Sequence, residues 1–347
     1  VPDGDDVVIV NHNVSLTKNE SFDVLNIENV TGSIVRLTIP SGDSLIGVGA
    51  VTVLGSASSF AMAQVACSGY LSCAGLGVIA GNTGGRGIFQ VKDGGHVIVD
   101  GDITLSAAAS ATNCQLTANV LNSGTQNQVD ISGSISGTAG VVSGANGAGP
   151  HNSLFNFNGT SAQIINVNSS YTATYGDVEI NNTSTVTTDT AFTSSNLLGY
   201  FTVNSGTFTH AYSHEFSDSV ANHATYNVSD SMDIEGSFTN TGTLTSSGSR
   251  INLAGDWNNS GTYTYFAGDT VTFDGSSLQS ITGSTTFSVL ELSNTANNTP
   301  SHDVEFISGA FIIDSIFDIN DCIVDNESGA TITLSSTETR TAQMIDV

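Results

Sequence analysis

One stretch of this chain is written twice in succession. Ile234-Glu235-Gly236-Ser237-Phe238-Thr239-Asn240-Thr241-Gly242-Thr243-Leu244-Thr245 recurs as Leu253-Ala254-Gly255-Asp256-Trp257-Asn258-Asn259-Ser260-Gly261-Thr262-Tyr263-Thr264. A unit this short cannot bury an apolar face by itself; it becomes stable by stacking on copies of itself. Related fragments stand at Asn204-Ser205-Gly206-Thr207-Phe208-Thr209 and Ser328-Gly329-Ala330-Thr331-Ile332-Thr333. A longer repeat pairs Phe157-Asn158-Gly159-Thr160-Ser161-Ala162-Gln163-Ile164-Ile165 with Phe273-Asp274-Gly275-Ser276-Ser277-Leu278-Gln279-Ser280-Ile281. Val178-Glu179-Ile180-Asn181-Asn182 then parallels Leu290-Glu291-Leu292-Ser293-Asn294.

Between the repeats the chain alternates apolar and polar residues in short runs. Examples are Ile34-Val35-Arg36-Leu37-Thr38-Ile39, His96-Val97-Ile98-Val99 and Thr331-Ile332-Thr333-Leu334. Period-two runs bounded by Gly, Asn, Asp or Ser predict short strands and tight turns. No stretch carries a helical stripe over three turns. These patterns predict an all-β, elongated parallel β-solenoid of about 14–17 coils at roughly 20–25 residues each. In each coil the residue between two threonines (Phe208, Leu244, Tyr263, Ile332) points inward and its Thr neighbours point outward. The Asn-Ser/Thr-Gly step turns the corner, with Gly or Asn supplying a positive φ. Asn at such corners is placed to stack as an amide ladder.

Charge divides the chain. Between Asp43 and Arg86 no charged residue occurs. The reading is residues 1–43 as N-terminal capping coils and 44–150 as a low-charge solenoid stretch or contact region, followed by the repeat-bearing solenoid at 151–347. The whole chain has 347 residues, with 6 Lys+Arg against 32 Asp+Glu and a formal net charge of −26. Six cations cannot neutralise a nucleic-acid backbone or hold an anionic membrane surface. No apolar run is long and clean enough to span a bilayer. No leader peptide is visible ahead of Val1-Pro2-Asp3. High Asp with little Lys suits a secreted protein kept soluble by charge.

Gly255-Asp256-Trp257-Asn258-Asn259-Ser260-Gly261-Thr262, Val271 to Gly283, and Phe287-Ser288-Val289-Leu290-Glu291-Leu292 resemble repeat segments of large secreted surface proteins of Bacteroidetes. Val1-Pro2-Asp3-Gly4-Asp5-Asp6-Val7-Val8-Ile9 is similar to the first strand of β-helical domains in such proteins. The resemblance covers 1–15 and 155–335 and leaves 44–150 unmatched. It implies an adhesin, a filament or sheath component, or a non-catalytic part of a large exoprotein. The sorting domain that many of these proteins carry is not evident after Met344.

The candidate chemistry is sparse. A polysaccharide lyase needs a cationic base or neutraliser beside acidic ligands, and Lys18, Arg36, Arg86, Lys92, Arg250 and Arg340 form no such motif. A glycosidase needs paired carboxylates, and none recurs in a distinctive context. Asp3, Asp5 and Asp6, and again Asp314, Asp318 and Asp321, offer oxygens for incidental Ca²⁺ but read as solvated turns. No cofactor or dedicated metal site is expected. His210, His214 and His223, spaced without a helix, read as exposed loop residues rather than metal ligands. Cys67 and Cys73 are a candidate disulfide in an oxidising compartment, or alternatively buried thiols.

Thr207, Thr209, Thr243, Thr245, Thr262 and Thr264, with Thr270/Thr272 and Thr331/Thr333, form a Thr-x-Thr series. It is a candidate outward array for ordered water, ice or a polysaccharide. The β-propensity of Thr explains the pairs more simply, and their irregular spacing favours that account. The expectation is a non-enzymatic, secreted or cell-surface structural or adhesive protein. Its partner would be a further copy of itself, joined head to tail through the solenoid ends and the 44–150 region. The alternative is a glycan- or ice-binding module using the Thr face or Trp257, Tyr263 and Tyr265, and a polysaccharide-degrading enzyme ranks below both.

Overall fold

The structure, a computed structural model, describes residues 7–29, 34–55, 62–81, 85–107, 110–120, 125–144, 150–165, 171–193, 195–296, 303–320, 322–335 and 343–345. The described residues are strands joined by short turns, with two single-turn 3₁₀ segments at Ala111–Asn113 and Pro150–Asn152. No helix among them is long and apolar enough to cross a membrane. Among the described residues the strand pairs are parallel, and most strands pair with one a full coil later in the chain. This is the solenoid that the repeats predict. The chain divides into two compact units, Val1–Thr190 and Ala191–Val347.

In the first unit each coil has three faces. On one face Leu25 pairs with Val51, Val51 with Leu76, Leu76 with Ile103 and Ile103 with Ile135. On the second, Leu37, Val65, Phe89, Leu116 and Val142 follow one another. On the third, Leu45, Leu71, Val97, Val129, Phe155 and Val178 do so. The coils are wide: Gln64 and Gln90, bonded to each other on successive coils, lie 26 positions apart in the chain. The stacked residues are buried, most of them completely, and most of the alternate positions beside them face out. The uncharged stretch after Asp43 is built from these coils. Its strands Ala50–Leu54, Met62–Cys67, Tyr70–Cys73 and Gly75–Ala80 alternate or run on as buried positions.

In the second unit the coil tightens. Met232, Ile251, Val271 and Leu290 form one stack. Phe208, Tyr226, Leu244 and Tyr263 form another, and Val220, Phe238 and Trp257 a third. The shorter step shows at one corner, where Asn222, Asn240 and Asn259 follow at intervals of 18 and 19 positions. The doubled sequence is one coil laid on the next: Ile234 sits on Leu253, Phe238 on Trp257 and Leu244 on Tyr263. Large aromatic rings fill the narrower interior, with Phe201 and Phe208 at 4.8 Å between centroids and Phe238 and Trp257 at 5.1 Å.

Two polar devices hold the corners. Asn222 donates to the side chain of Asn240 at 2.8 Å, and Asn240 to Asn259 at 2.8 Å. Asn222 and Asn240 also donate to the carbonyls of Thr243 and Thr262 on the coil above. The expected amide ladder is thus present, and it is buried. The expected positive φ holds at Gly206, with φ 70, but not at Gly242 or Gly261. There glycine is required by the approach of the coils, because a Cβ on Gly261 would collide with the carbonyl of Gly242 below it.

The second device explains the longer repeat. Gln279 is fully buried. Its Oε1 accepts from Gly275 N at 2.9 Å, and its Nε2 donates to the carbonyls of Leu253 and Gly255, each at 2.7 Å. Asn294 donates to the same Oε1 at 2.8 Å and to the Ser277 carbonyl at 2.6 Å. Gln163 repeats this arrangement with Gly159, Ile131, Gly133 and Asn182. A side-chain amide thereby supplies the backbone bonds that a turn between coils leaves open.

Candidate functional site

The face of the second unit built from Thr207–His210, Thr225–Val228, Thr243–Ser246 and Thr262–Thr264 carries the candidate array. Parallel register places Thr207, Thr225, Thr243 and Thr262 in one row and Thr209, Asn227, Thr245 and Thr264 in a second. Adjacent strands lie about 4.8 Å apart, and side chains two residues apart on a strand share a face, roughly 6.5–7 Å from one another. The result is a flat patch of seven threonines and one asparagine, half-buried to exposed, with no charge in either row. Asn227 Nδ2 donates to Thr209 Oγ1 at 3.2 Å, tying two rungs together.

The six threonines predicted from the sequence at 207, 209, 243, 245, 262 and 264 are thus brought together. Thr225 and Asn227 complete the array. They lie in Thr225-Tyr226-Asn227, where Asn breaks the Thr-x-Thr pattern; the available signal was that Tyr226 falls one coil after Phe208. Thr270 and Thr272 are not part of it. They pair with Arg250 and Asn252 on another face, where Thr272 is buried and accepts from Arg250 Nη2 at 3.0 Å. Thr331 and Thr333 pair with Ala310 and Ile312 farther along the unit.

Behind the array lies an aromatic and imidazole cluster, and here two expectations are corrected. His210 and His214 are fully buried rather than exposed on a loop. They are the inward-facing residues at a tight corner, with ring centroids 4.4 Å apart. His210 Nδ1 meets the Tyr226 hydroxyl at 3.1 Å. Burial, and after it the neighbouring His214, holds the His210 imidazole well below its usual range. Burial also brings His214 down to about 4. His223 is the exposed one, bonded to Thr241 Oγ1 at 2.8 Å. Trp257 is also fully buried, its Nε1 donating to Thr285 Oγ1 at 3.2 Å, so it offers no platform to a sugar ring.

Cys67 and Cys73 are free thiols. They end strands on two different faces, where Cys67 pairs with Val91 and Cys73 with Val99, and the disulfide alternative is not formed. Burial pushes both thiols, and Cys114, up to about 12.

Two other polar surfaces escaped the sequence reading. In the first unit the outward positions of the third face form a network around the buried carboxylate of Asp130. It accepts from or pairs with His96 Nε2 at 2.7 Å, Gln128 at 2.9 Å and Asn156 at 2.9 Å. Tyr70 packs edge-on against His96 at 5.5 Å. In the second unit Glu215, Asp233, Glu235 and Asp274 crowd one side. Burial, then the surrounding carboxylates, raises Asp233 and Asp274 above the ordinary Asp range. Arg250 bonds Glu291 and Asn252 there. Many of these side chains, such as His96 with Asp130 and Glu215 with Asp233, lie on separate coils, and only the register reveals that they meet.

Of the acidic clusters, Asp3, Asp5, Asp6 and Asp321 lie outside the described residues. Asp314 accepts from the Tyr265 hydroxyl. The carboxylates of Glu305, Asp325 and Glu327 lie within 4.8 Å of one another, the closest approach to a hard-cation ligand set among the described residues. No protein-family model, curated protein or solved structure matches the chain.

Proposed function

We propose that this protein is a secreted, cell-surface solenoid with a structural or adhesive role, acting by presenting repeated surfaces rather than by catalysis. The observation that carries this reading is the in-register Thr/Asn array. A rigid sheet holds eight neutral polar side chains at fixed spacing, so little side-chain entropy is lost on contact with an ordered polymer or water layer. On a chain of net charge −26, an uncharged face is also where a neutral surface can approach. The test is adsorption of the whole chain to insoluble neutral polysaccharides, alongside an ice-recrystallisation assay. Replacing Thr225 and Thr243 by Lys should weaken adsorption at least ten-fold. Absence of activity in both assays, or activity unchanged in that variant, would remove the adhesive role of this face.

A second reading, self-association, has its own observation. Strands Val7–Val10, Val14–Ser15 and Glu20–Phe22 have a ladder partner on one side only among the described residues. They surround an apolar cavity of about 210 Å³ lined by Val8, Val10, Val14, Leu16, Leu37 and Leu45. Unpaired strand edges over an apolar mouth favour pairing with a further copy. Ile46 and Val48, 50% and 77% exposed, add apolar surface in the 44–150 region. Electron microscopy and solution mass should show oligomers or filaments that Val14→Asp together with Ile46→Asp disperses. Assembly unaffected by that pair of changes would refute this route.

A further inference from the structure

The short-coil stacking of the second unit first breaks after Trp257. Trp257 follows Phe238 by the usual short coil, but its next partner, Ile281, comes after a longer excursion of the chain. Among the described residues, strand Thr262–Thr264 has a ladder partner on one side only, Thr243–Ser246. The following strand of that face, Thr285–Leu292, pairs instead with Val304–Asp318. Side chains at the floor stitch the two walls: Asn259 Nδ2 donates to the Ser284 carbonyl at 3.3 Å and to Thr285 Oγ1 at 3.0 Å. Above that floor lies an open groove of about 320 Å³.

The lining has a defined chemistry. Thr262, Tyr263, Ser284 and Thr286 bring polar groups, Ala310 and Ile312 bring apolar surface, and no charged side chain lines the groove. The Thr262 and Thr286 hydroxyls have no hydrogen-bond partner in the protein among the described residues. Thr262 N bonds back to Gly242 O at 2.8 Å. In a parallel strand alternate residues direct both backbone groups to opposite sides, so the N–H and C=O of Tyr263 face the groove. The Tyr263 ring is held by Trp257 at 5.5 Å and its hydroxyl by Ser246 at 3.1 Å, which fixes this wall.

We propose that this groove binds one extended neutral glycan chain, gripping it by hydroxyls and the Tyr263 backbone on one wall and by Ala310 and Ile312 on the other. The size falls within the roughly 300–1,000 Å³ usual for small-ligand sites, which combine apolar walls with a few placed polar groups. Sugars match this mixture, with hydroxyls at the ring edge and C–H groups on the ring face. A peptide strand suits it less, because one residue of free edge offers only a single pair of backbone bonds. The inference rests on the adhesive reading and names the ligand class beside the array.

The test is calorimetric titration of the whole chain with cellohexaose, laminarihexaose, xylohexaose and mannohexaose. At least one should bind. Ala310→Arg, at an exposed position that fills the groove, should weaken it ten-fold or more. Thr262→Val and Thr286→Val should each weaken it several-fold, while Thr239→Lys, on a different face of the unit, should leave it unchanged. Failure of all four hexasaccharides to bind, or binding indifferent to Ala310→Arg, would overturn the groove assignment. A neutral hexapeptide that binds there where no sugar does would overturn it as well. Adsorption to insoluble polymer that Thr225→Lys with Thr243→Lys abolishes, with no oligosaccharide bound, would sink the groove and leave the array reading standing.

Discussion

The buried imidazoles show how far a single residue can be misjudged from its neighbours in sequence. His210 and His214 stand among Ala, Tyr and Ser, the composition of a loop, yet both close a coil interior, His214 beside Phe192, Phe208 and Phe216 and His210 beside Tyr226. Their burial has a pH signature. The unfolded chain takes up protons on these rings near pH 6.5, whereas folded His214 does so only near pH 4. Stability from this group is therefore complete above about 6.5 and falls as pH drops toward 4, by something on the order of 3 kcal/mol. Asp233 and Asp274 act in the opposite sense, since their raised folded values favour the protonated, more acid form. A His214→Phe variant compared with the parent isolates the imidazole effect. Its urea midpoint should decline less between pH 6.5 and 4.5, and parallel declines would refute the assignment. The thiols give a second residue-level prediction. Native protein should react slowly with a thiol reagent at pH 8, because buried Cys67, Cys73 and Cys114 are held as thiols. All four cysteines should titrate once the chain is unfolded without reductant; a missing pair would mean a disulfide.

At the scale of elements, the repeats were legible because each has a physical job. The shorter repeat marks one coil, and its apolar positions are the stacked ones. The longer repeat marks the Gln/Asn plug, in which Gln279, from the strand Gln279–Thr282, and Asn294, just after the strand Thr285–Leu292, bond each other. Replacing Gln279 by Met leaves Gly275 N and the Leu253 and Gly255 carbonyls without this partner in a buried site. Each buried unsatisfied group costs about 1–3 kcal/mol, so the variant should lose roughly 3 kcal/mol or more in denaturant unfolding. A loss below about 1 kcal/mol would show that the plug is dispensable. The array was only half legible. Its Thr-x-Thr pairs stand in the sequence, but whether they share a face depends on register, and Thr270/Thr272 has the same local pattern on another face.

For the molecule as a whole, charge is the dominant long-range term. The net charge of −26 concentrates on turns and on rows such as Glu215 and Asp233, which are adjacent in the ladder. Like charges opposite one another in a ladder destabilise it, and salt screens them over about 10 Å at 0.1 M. The melting temperature should therefore rise by several degrees between about 10 mM and 300 mM NaCl. A flat response would indicate that the acidic rows are already neutralised by protonation or bound cations. Each unit otherwise rests on the same stacking rule, applied with wide coils in one and with tighter coils through most of the other.

Local alternation and repetition determined the strands, the parallel solenoid and the inward-facing residues, because a period of two and a repeat of one coil leave no other burial. Tertiary structure alone decided what met across coils. The Asp130 network, the completed Thr/Asn rows, the separation of Cys67 from Cys73 and the groove beside Tyr263 all depend on how many residues each turn spends before the next strand. Those turn lengths set the register, and register is a property of the stacked coils that no single coil encodes.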